Sequence, residues 1–164
     1  HQFIRAMHVL NSETMYIGVD AKSCWLESAG AKYFTKLVDS ELPDMKKVFV
    51  GIKDSKIDVT FDVSSLLDAI KKASVFTDNA LKFAFVKDSM RIYVVNSEQG
   101  KEFSTFISCQ HNAPDDFVIG LMHKLLTKVL QGVVGDVTMK ITDQKQPVFI
   151  PVENSTYLIM PYAL

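Results

Sequence analysis

Ile57-Asp58-Val59-Thr60-Phe61-Asp62-Val63-Ser64-Ser65-Leu66-Leu67-Asp68-Ala69-Ile70-Lys71-Lys72-Ala73 reads as a strand that runs straight into a helix. Apolar side chains alternate through Ile57, Val59 and Phe61, the period of a half-buried strand. At Asp62 the period changes, and Val63, Leu66, Leu67, Ile70 and Ala73 recur at the three-and-four spacing that stacks residues on one helical face. Asp62 stands at the join as an N-cap. Ser64, Ser65, Asp68, Lys71 and Lys72 take the opposite face. Strands are predicted at 81–87, 89–96 and 101–107, joined by Asp88 and by the turn Ser97-Glu98-Gln99-Gly100. The result is one helix on one small sheet, too little to bury a core alone.

The pattern recurs roughly every 60 residues, a period at which an internal repeat is the first reading to try. Upstream, Phe3, Ile4, Met7 and Leu10 predict a helix whose other faces carry Arg5 and His8, followed by strands at 15–20, 23–28 and 32–38. Downstream, a strand at 117–120 leads to a helix with Leu121, Leu125, Leu126, Val129 and Leu130 inward. His123, Lys124, Thr127 and Lys128 are expected outward, and Gly132 as the C-terminal stop. Strands at 136–142, 146–152 and 156–162 complete that unit, with Asp143 at a hairpin position like those of Asp20 and Asp88. The fold class is therefore α+β, repeated βαβββ units with helices on one face of antiparallel sheets. The first unit lacks its leading strand and opens on His1, so the expectation is a piece of a longer chain. The stretch 40–56, with Pro43 and Gly51, holds the expected boundary, its linker placed at 51–56.

Composition narrows the class. At 164 residues, 48% hydrophobic and a mean hydropathy of +0.11, the chain can fill a sizeable core as a soluble, cytoplasmic protein. No apolar run approaches the ~20 residues of a membrane span, and no signal-peptide pattern opens the chain. Cys24 and Cys109 lack paired spacing and read as reduced structural thiols. The three helices carry Arg5, Lys71, Lys72, Lys124 and Lys128 against Asp68, a net +4 within a total of −1, so the remainder carries −5. On one helix such lysines are ordinarily a solvated face; repeated on three they suggest a basic side that meets a polyanion. These five residues, joined by His8 and His123, are the candidate contacts to duplex DNA of any sequence, because lysine contacts to phosphate position a protein without reading bases.

Several stretches carry a family resemblance. Lys36-Leu37-Val38-Asp39-Ser40-Glu41-Leu42-Pro43-Asp44-Met45-Lys46-Lys47-Val48 is similar to the motif closing the middle domain of bacterial DNA polymerase III beta subunits, the sliding clamps. Thr142-Asp143, Gln146-Pro147-Val148-Phe149-Ile150, Tyr157-Leu158-Ile159-Met160-Pro161 and the final Leu164 resemble that family's carboxy-terminal signature in order and spacing. Leu66-Leu67-Asp68-Ala69-Ile70 and Asn96-Ser97-Glu98-Gln99-Gly100 fit its pattern as well. The resemblance implies half of a middle domain at 1–50 and a complete last domain at 57–164. Such a protein is a non-catalytic homodimeric ring, with helices around the DNA and sheets outward, and it needs no cofactor or metal.

The resemblance also implies partners and sites. Polymerase and clamp-loader subunits would insert short linear peptides into an apolar cleft, falling here on Pro43, Lys47, Val48, Leu121, Lys124, Pro147, Leu158, Ile159, Met160, Pro161, Tyr162, Ala163 and Leu164. The subunit seam would fall on Val75, Phe76, Glu98, Lys101 and Glu102. Three departures bear on peptide preference: Tyr162-Ala163 stands for the usual Met-Arg, Leu121 and Lys124 for a polar and aromatic pair, and the turn Thr77-Asp78-Asn79-Ala80 is short.

Two rival readings differ in class. Pro43-Asp44, Lys46, Lys47, Asp58 and Asp62 suggest a metal-dependent nuclease, but no second carboxylate and lysine alternate on one strand to hold Mg²⁺ and activate water. A phosphate-cradling glycine loop and a nucleophile elbow are absent from the sequence. The other rival is a shortened clamp-like interaction module that binds clamp-binding peptides without forming a ring.

Overall fold

A computed structural model of the protein describes residues 14–28, 30–38, 44–77, 79–96 and 100–163. The expected first helix with Arg5 and His8, and also Pro43, Glu98 and Leu164, lie outside the described residues. The chain forms two compact units that divide between Asp44 and Met45.

In the first unit β1 (Tyr16–Val19), β2 (Ser23–Ser28) and β3 (Ala31–Lys36) make an antiparallel sheet in that order. Asp20 builds the first turn: its Oδ1 accepts from the Lys22 and Ser23 N–H groups at 2.8 and 2.7 Å, and its Oδ2 from the Ser23 hydroxyl at 2.6 Å. These bonds, the Ser23 hydroxyl foremost, hold its carboxyl below the usual range. Gly18 lies opposite Trp25, and a Cβ there would run into the indole, so only glycine lets the ring cross the strand.

The second unit opens with α1 (Met45–Val50) and continues β4 (Ile57–Asp62), α2 (Val63–Ala73), β5 (Ala80–Val86), β6 (Ser89–Asn96) and β7 (Lys101–His111). Then come β8 (Val118–Met122), α3 (His123–Leu130), β9 (Asp136–Ile141), β10 (Val148–Val152) and β11 (Ser155–Ile159). The sheet order is β11-β10-β9-β4-β7-β6-β5-β8. Two βαβββ units have thus exchanged their leading strands: β4 pairs with β9 from Ile57↔Ile141 to Asp62↔Asp136, and β8 pairs with β5 from Ala80↔Met122 to Ala84↔Val118. A pseudo-twofold relation extends to the joins, because Thr60↔Gln110 links β4 to β7 and Gly120↔Tyr162 links β8 to the tail after β11. The Tyr162 N–H donates to the Gly120 carbonyl at 2.8 Å, so the tail covers part of an otherwise open edge.

Both helices pack one face of this sheet. Val63, Leu66, Ala69, Ile70 and Ala73 of α2 and Leu126 and Leu130 of α3 are buried against Val59, Phe61, Phe83, Ile92, Met139 and Ile150. Asp62 caps α2 as the sequence predicts, its Oδ1 accepting from the Ser65 N–H at 2.8 Å and from the Ser64 and Ser65 hydroxyls at 2.7 Å each. Asp143 repeats the Asp20 turn, accepting from the Lys145 and Gln146 N–H groups at 2.7 and 2.8 Å. Asp88 does not; it follows Lys87, whose φ of 49° makes the tight β5–β6 turn. Cys24 and Cys109 are buried free thiols, and burial first, then the Asp88 charge, pushes Cys109 up to about 11, where it stays protonated.

Two expectations are corrected, the start of the downstream helix and its rotation. The downstream helix begins at His123, so Leu121 belongs to β8 and is fully buried in the core. That start sets the inward stripe at 123, 126 and 130, which buries His123 to 6% exposure and turns Leu125 out to 43%. The expected 51–56 boundary lies inside the second unit, because Phe49 of α1 meets Phe149 at 6.3 Å between ring centroids and Gly51 approaches the same ring. Among the described residues no helix is long and apolar enough to cross a membrane.

Two measurements check this account. Leu126→Ala is expected to cost about 2–5 kcal/mol and Leu125→Ala under about 1 kcal/mol in urea unfolding; equal costs would return α3 to the rotation read from sequence. The Asp62 carboxyl is held at about 2 against a usual 3.8, chiefly by the Ser64 hydroxyl. Its contribution is complete above about pH 4 and is lost as pH falls toward 2, because the folded form binds the proton more weakly. Asp62→Asn keeps a capping oxygen but no charge, so its urea midpoint should fall less steeply over that window than that of the wild type. Identical slopes would contradict the cap.

Candidate functional site

The polar faces of α2 and α3 converge on a groove of about 610 Å³. Lys71 and Ser74 line it from the α2 side, and His123, Lys124, Thr127, Lys128 and Gln131 from the α3 side, over a floor of Leu67 and Ile70. Among the described residues that line it there is no carboxylate. Three of the lysines singled out from sequence, Lys71, Lys124 and Lys128, therefore share one concave surface, although they come from different copies of the repeat. Lys72 does not line it; its ammonium pairs with Asp68 one turn back at 2.6 Å, an exposed pair worth little to stability. His123 lines the groove from its buried position, and its Nε2 has no hydrogen-bond partner.

The residues expected in the apolar cleft separate into two groups. Leu121 and Ile159 are core side chains, exposed 0% and 2%, and offer no wall to a ligand in this structure. The alternation of β11 explains this, because Ile159 points to the helices while Leu158 and Met160 point the other way. On that outer face Leu158 lies opposite Phe149, which α1 covers with Phe49. Val48 and Pro147 are half-buried and Lys47 is exposed. Beyond β11, Met160 and Tyr162 are about half exposed, Pro161 is half-buried and Ala163 is open. The outcome is an apolar outer surface running from α1 past Leu158 to Tyr162, with Lys124 elsewhere, in the helix groove.

Sequence reasoning missed Gly120 and Phe149. Gly120, not Leu121, faces the tail, and a shift of one residue along a strand changes the face it presents. Phe149 had a signal in the unbroken run Val148-Phe149-Ile150, which is how a strand covered on both faces reads. Of the residues assigned to a subunit seam, Val75 is 77% exposed just beyond α2, whereas Phe76 stacks on Phe103 at 5.2 Å. Glu102 is exposed on β7, and Lys101 opens that strand. Among the described residues no cluster of three or more His, Cys, Asp or Glu side chains could hold a metal ion.

No protein-family model matches the chain, and no curated protein matches it. Solved structures do. Over 98% of its length the chain is similar to a DNA polymerase sliding clamp from Caulobacter crescentus, with a TM-score of 0.81 and 19% identity, covering 44% of that chain. A DNA polymerase III beta subunit from Thermotoga maritima aligns over 92% of this chain and 42% of its own, at 22% identity and a TM-score of 0.70. A sliding clamp from Bartonella birtlesii, solved bound to griselimycin, aligns over 98% and 44%, at 15% identity and 0.80. This chain has the fold of these sliding clamps, α+β with antiparallel sheets, and it spans less than half the length of each.

Proposed function

We propose that the chain is part of a DNA sliding clamp, a non-catalytic processivity factor of the cytoplasm. On this reading the second unit is the last domain of a clamp subunit and the first unit half of the domain before it. The observation that carries it is the groove lined by Lys71, Lys124 and Lys128 from two helices, on a fold shared with solved clamps. Mobile ammonium groups attract phosphates at long range without fixing register, which suits a ring that holds duplex DNA by encircling it and must still slide. Closing that ring requires a second subunit, and Val75 is the exposed apolar residue offered to the seam.

Partner binding falls on the outer apolar surface. Leu158, Met160, Pro161 and Tyr162 supply walls for Leu and Phe anchors of short peptides from polymerase and clamp-loader subunits, with Val48 and Pro147 beside them and Lys47 as a polar guide. Leu121 and Ile159 have no part in it, since both are consumed by the core. Tyr162 brings an aromatic ring to this surface, so aromatic peptide anchors are favoured.

Two experiments test the reading. In the ring made by the full-length protein, reversing Lys71, Lys124 and Lys128 to Glu should shorten retention on circular duplex DNA about tenfold or more at moderate salt. Unchanged retention would mean a solvated face. A native product of this length that stays monomeric and binds clamp peptides would instead favour the interaction module. Removing Pro161 to Leu164 should weaken binding of an apolar-anchored peptide at least about tenfold, roughly 1.4 kcal/mol, with little change in circular dichroism. Equal affinity would remove the peptide site from this surface.

A further inference from the structure

The outer face of β5, β6 and β7 carries side chains that neither the helix groove nor the surface around the tail uses. Phe83, Met90, Ile92 and Val94 are buried toward the helices, so by the alternation of strands Lys82, Arg91, Tyr93 and Val95 point the other way. Phe106 of β7 stands directly opposite Arg91 and is 59% exposed. Val86 and Val95 are exposed as well.

Arg91 is exposed yet fixed. Its Nε donates to the Ser104 hydroxyl at 2.8 Å, and its guanidinium carbon stands 4.8 Å from the centre of the Tyr93 ring. Ser104 and Tyr93 are paired across β6 and β7, so one row of the sheet holds the arginine from two sides. Among the described residues no carboxylate pairs with it. A side chain held in this way has already given up much of the freedom that binding would otherwise cost. Nε is spent on Ser104 and one face of the guanidinium on Tyr93, which leaves the two Nη groups as a planar fork. That fork matches a carboxylate through two parallel hydrogen bonds.

The charges on this face have a direction. Lys82 and Arg91 stand in adjacent central rows, opposite Tyr93 and Phe106, whereas Glu102, the carboxylate among the described residues of these strands, stands at one end opposite Val95. An acidic partner is therefore attracted to the centre of the face and repelled from its end.

We propose that this face is a docking surface for an acidic segment of a partner protein, with Arg91 taking an Asp or Glu carboxylate and Phe106 an apolar side chain beside it. In an extended segment, residues two apart face the same way, so an acidic and an apolar residue at that spacing meet Arg91 and Phe106 together. Single-stranded nucleic acid also brings anions and flat rings, but it calls for open aromatic faces and a line of cations along its backbone. Here Arg91 already covers Tyr93, and the neighbours of the fork include aliphatic Val86 and Val95. An arginine centred among aromatic and aliphatic side chains is the composition that dominates binding at protein interfaces. The surface stands on these residues alone and is independent of the clamp reading.

The test adds the synthetic peptide acetyl-Glu-Ser-Leu-Ser-Glu-amide to the whole chain and follows the Arg91 Nε–H and the Phe106 ring by NMR. The reference is the same peptide with glutamine in place of glutamate, at matched ionic strength. A saturable shift at both residues is expected, with the glutamine peptide about tenfold weaker. Arg91→Lys keeps the charge and removes the fork, so it should raise the half-saturating peptide concentration about fivefold or more. Both residues are exposed, and an unchanged circular dichroism spectrum shows that the variant is folded. Equal binding of the two peptides, saturation unchanged in Arg91→Lys, or no saturable shift at all overturns the proposal. Saturation of the same signals by oligothymidylate but not by the glutamate peptide overturns it too, and assigns the face to nucleic acid.

Discussion

Everything in the larger unit depends on the exchange of leading strands between its two βαβββ repeats. β4 is covalently the start of the first repeat but hydrogen-bonds along its whole length to β9 of the second, and β8 is held by β5 in return. One helix on three strands leaves an open sheet edge and a half-covered core. The exchange completes both sheets and seals them into one core, to which Phe61 on β4 and Ile119 and Leu121 on β8 contribute fully buried side chains. It also fixes where the helices go, because each is joined to the exchanged strand without a linking residue: Asp62 is followed by Val63, and Met122 by His123. The helices are brought side by side by covalent necessity, and the groove between them follows.

That geometry turns a modest charge bias into a local field. No single helix here is strongly basic, and Lys72 is offset by Asp68. Placed together, α2 and α3 contribute Lys71, Lys124 and Lys128 to one surface whose described lining residues include no carboxylate. Charges that would be screened apart at physiological salt, where the screening length is about 8 Å, reinforce one another when they share a concave wall. Elsewhere Asp58 on β4 pairs with Lys140 on β9 at 3.1 Å, and Asp62, Asp88 and Asp136 line a separate depression.

Much of this was legible in the chain. Alternation located β2 and β6 to the residue, and the change of period at Asp62 located the start of α2, because in each case a local chemical signal coincides with the structural boundary. The start of α3 was misread because that signal is missing. Val118-Ile119-Gly120-Leu121-Met122 is apolar throughout, no Ser, Thr, Asp or Asn marks the cap, and Leu121 fits a helical stripe as well as a strand. The resulting error in rotation moved His123 from the core to the surface and Leu125 the other way. Leu121 and Ile159, expected on a ligand wall, lie buried in the core for a related reason. Both lie within apolar runs, and only the strand pairings decide which member of a run faces the helices. The role of α1 was illegible because its six residues are too few for periodicity, and what holds them is a distant ring, Phe149.

The two repeats have kept the same backbone and parted at its most sensitive point. A helix start concentrates unpaired N–H groups and a positive potential, so whatever stands there is placed to choose between closing the site and leaving it for something else. The first repeat closes it: Asp62 accepts three hydrogen bonds at 2.7–2.8 Å, and Ser64 and Ser65 hold the carboxylate ionised. In the second repeat the same position is Met122, a side chain with nothing to offer an N–H, followed by a histidine turned inward and two lysines a turn apart. Had both starts been built like α2, each helix would carry a side-chain cap. Had both been built like α3, neither helix would have a side-chain cap. The asymmetry leaves one helix start closed by its own carboxylate and the other without a side-chain cap, so the first repeat draws local stability from a bond that the second must replace by packing.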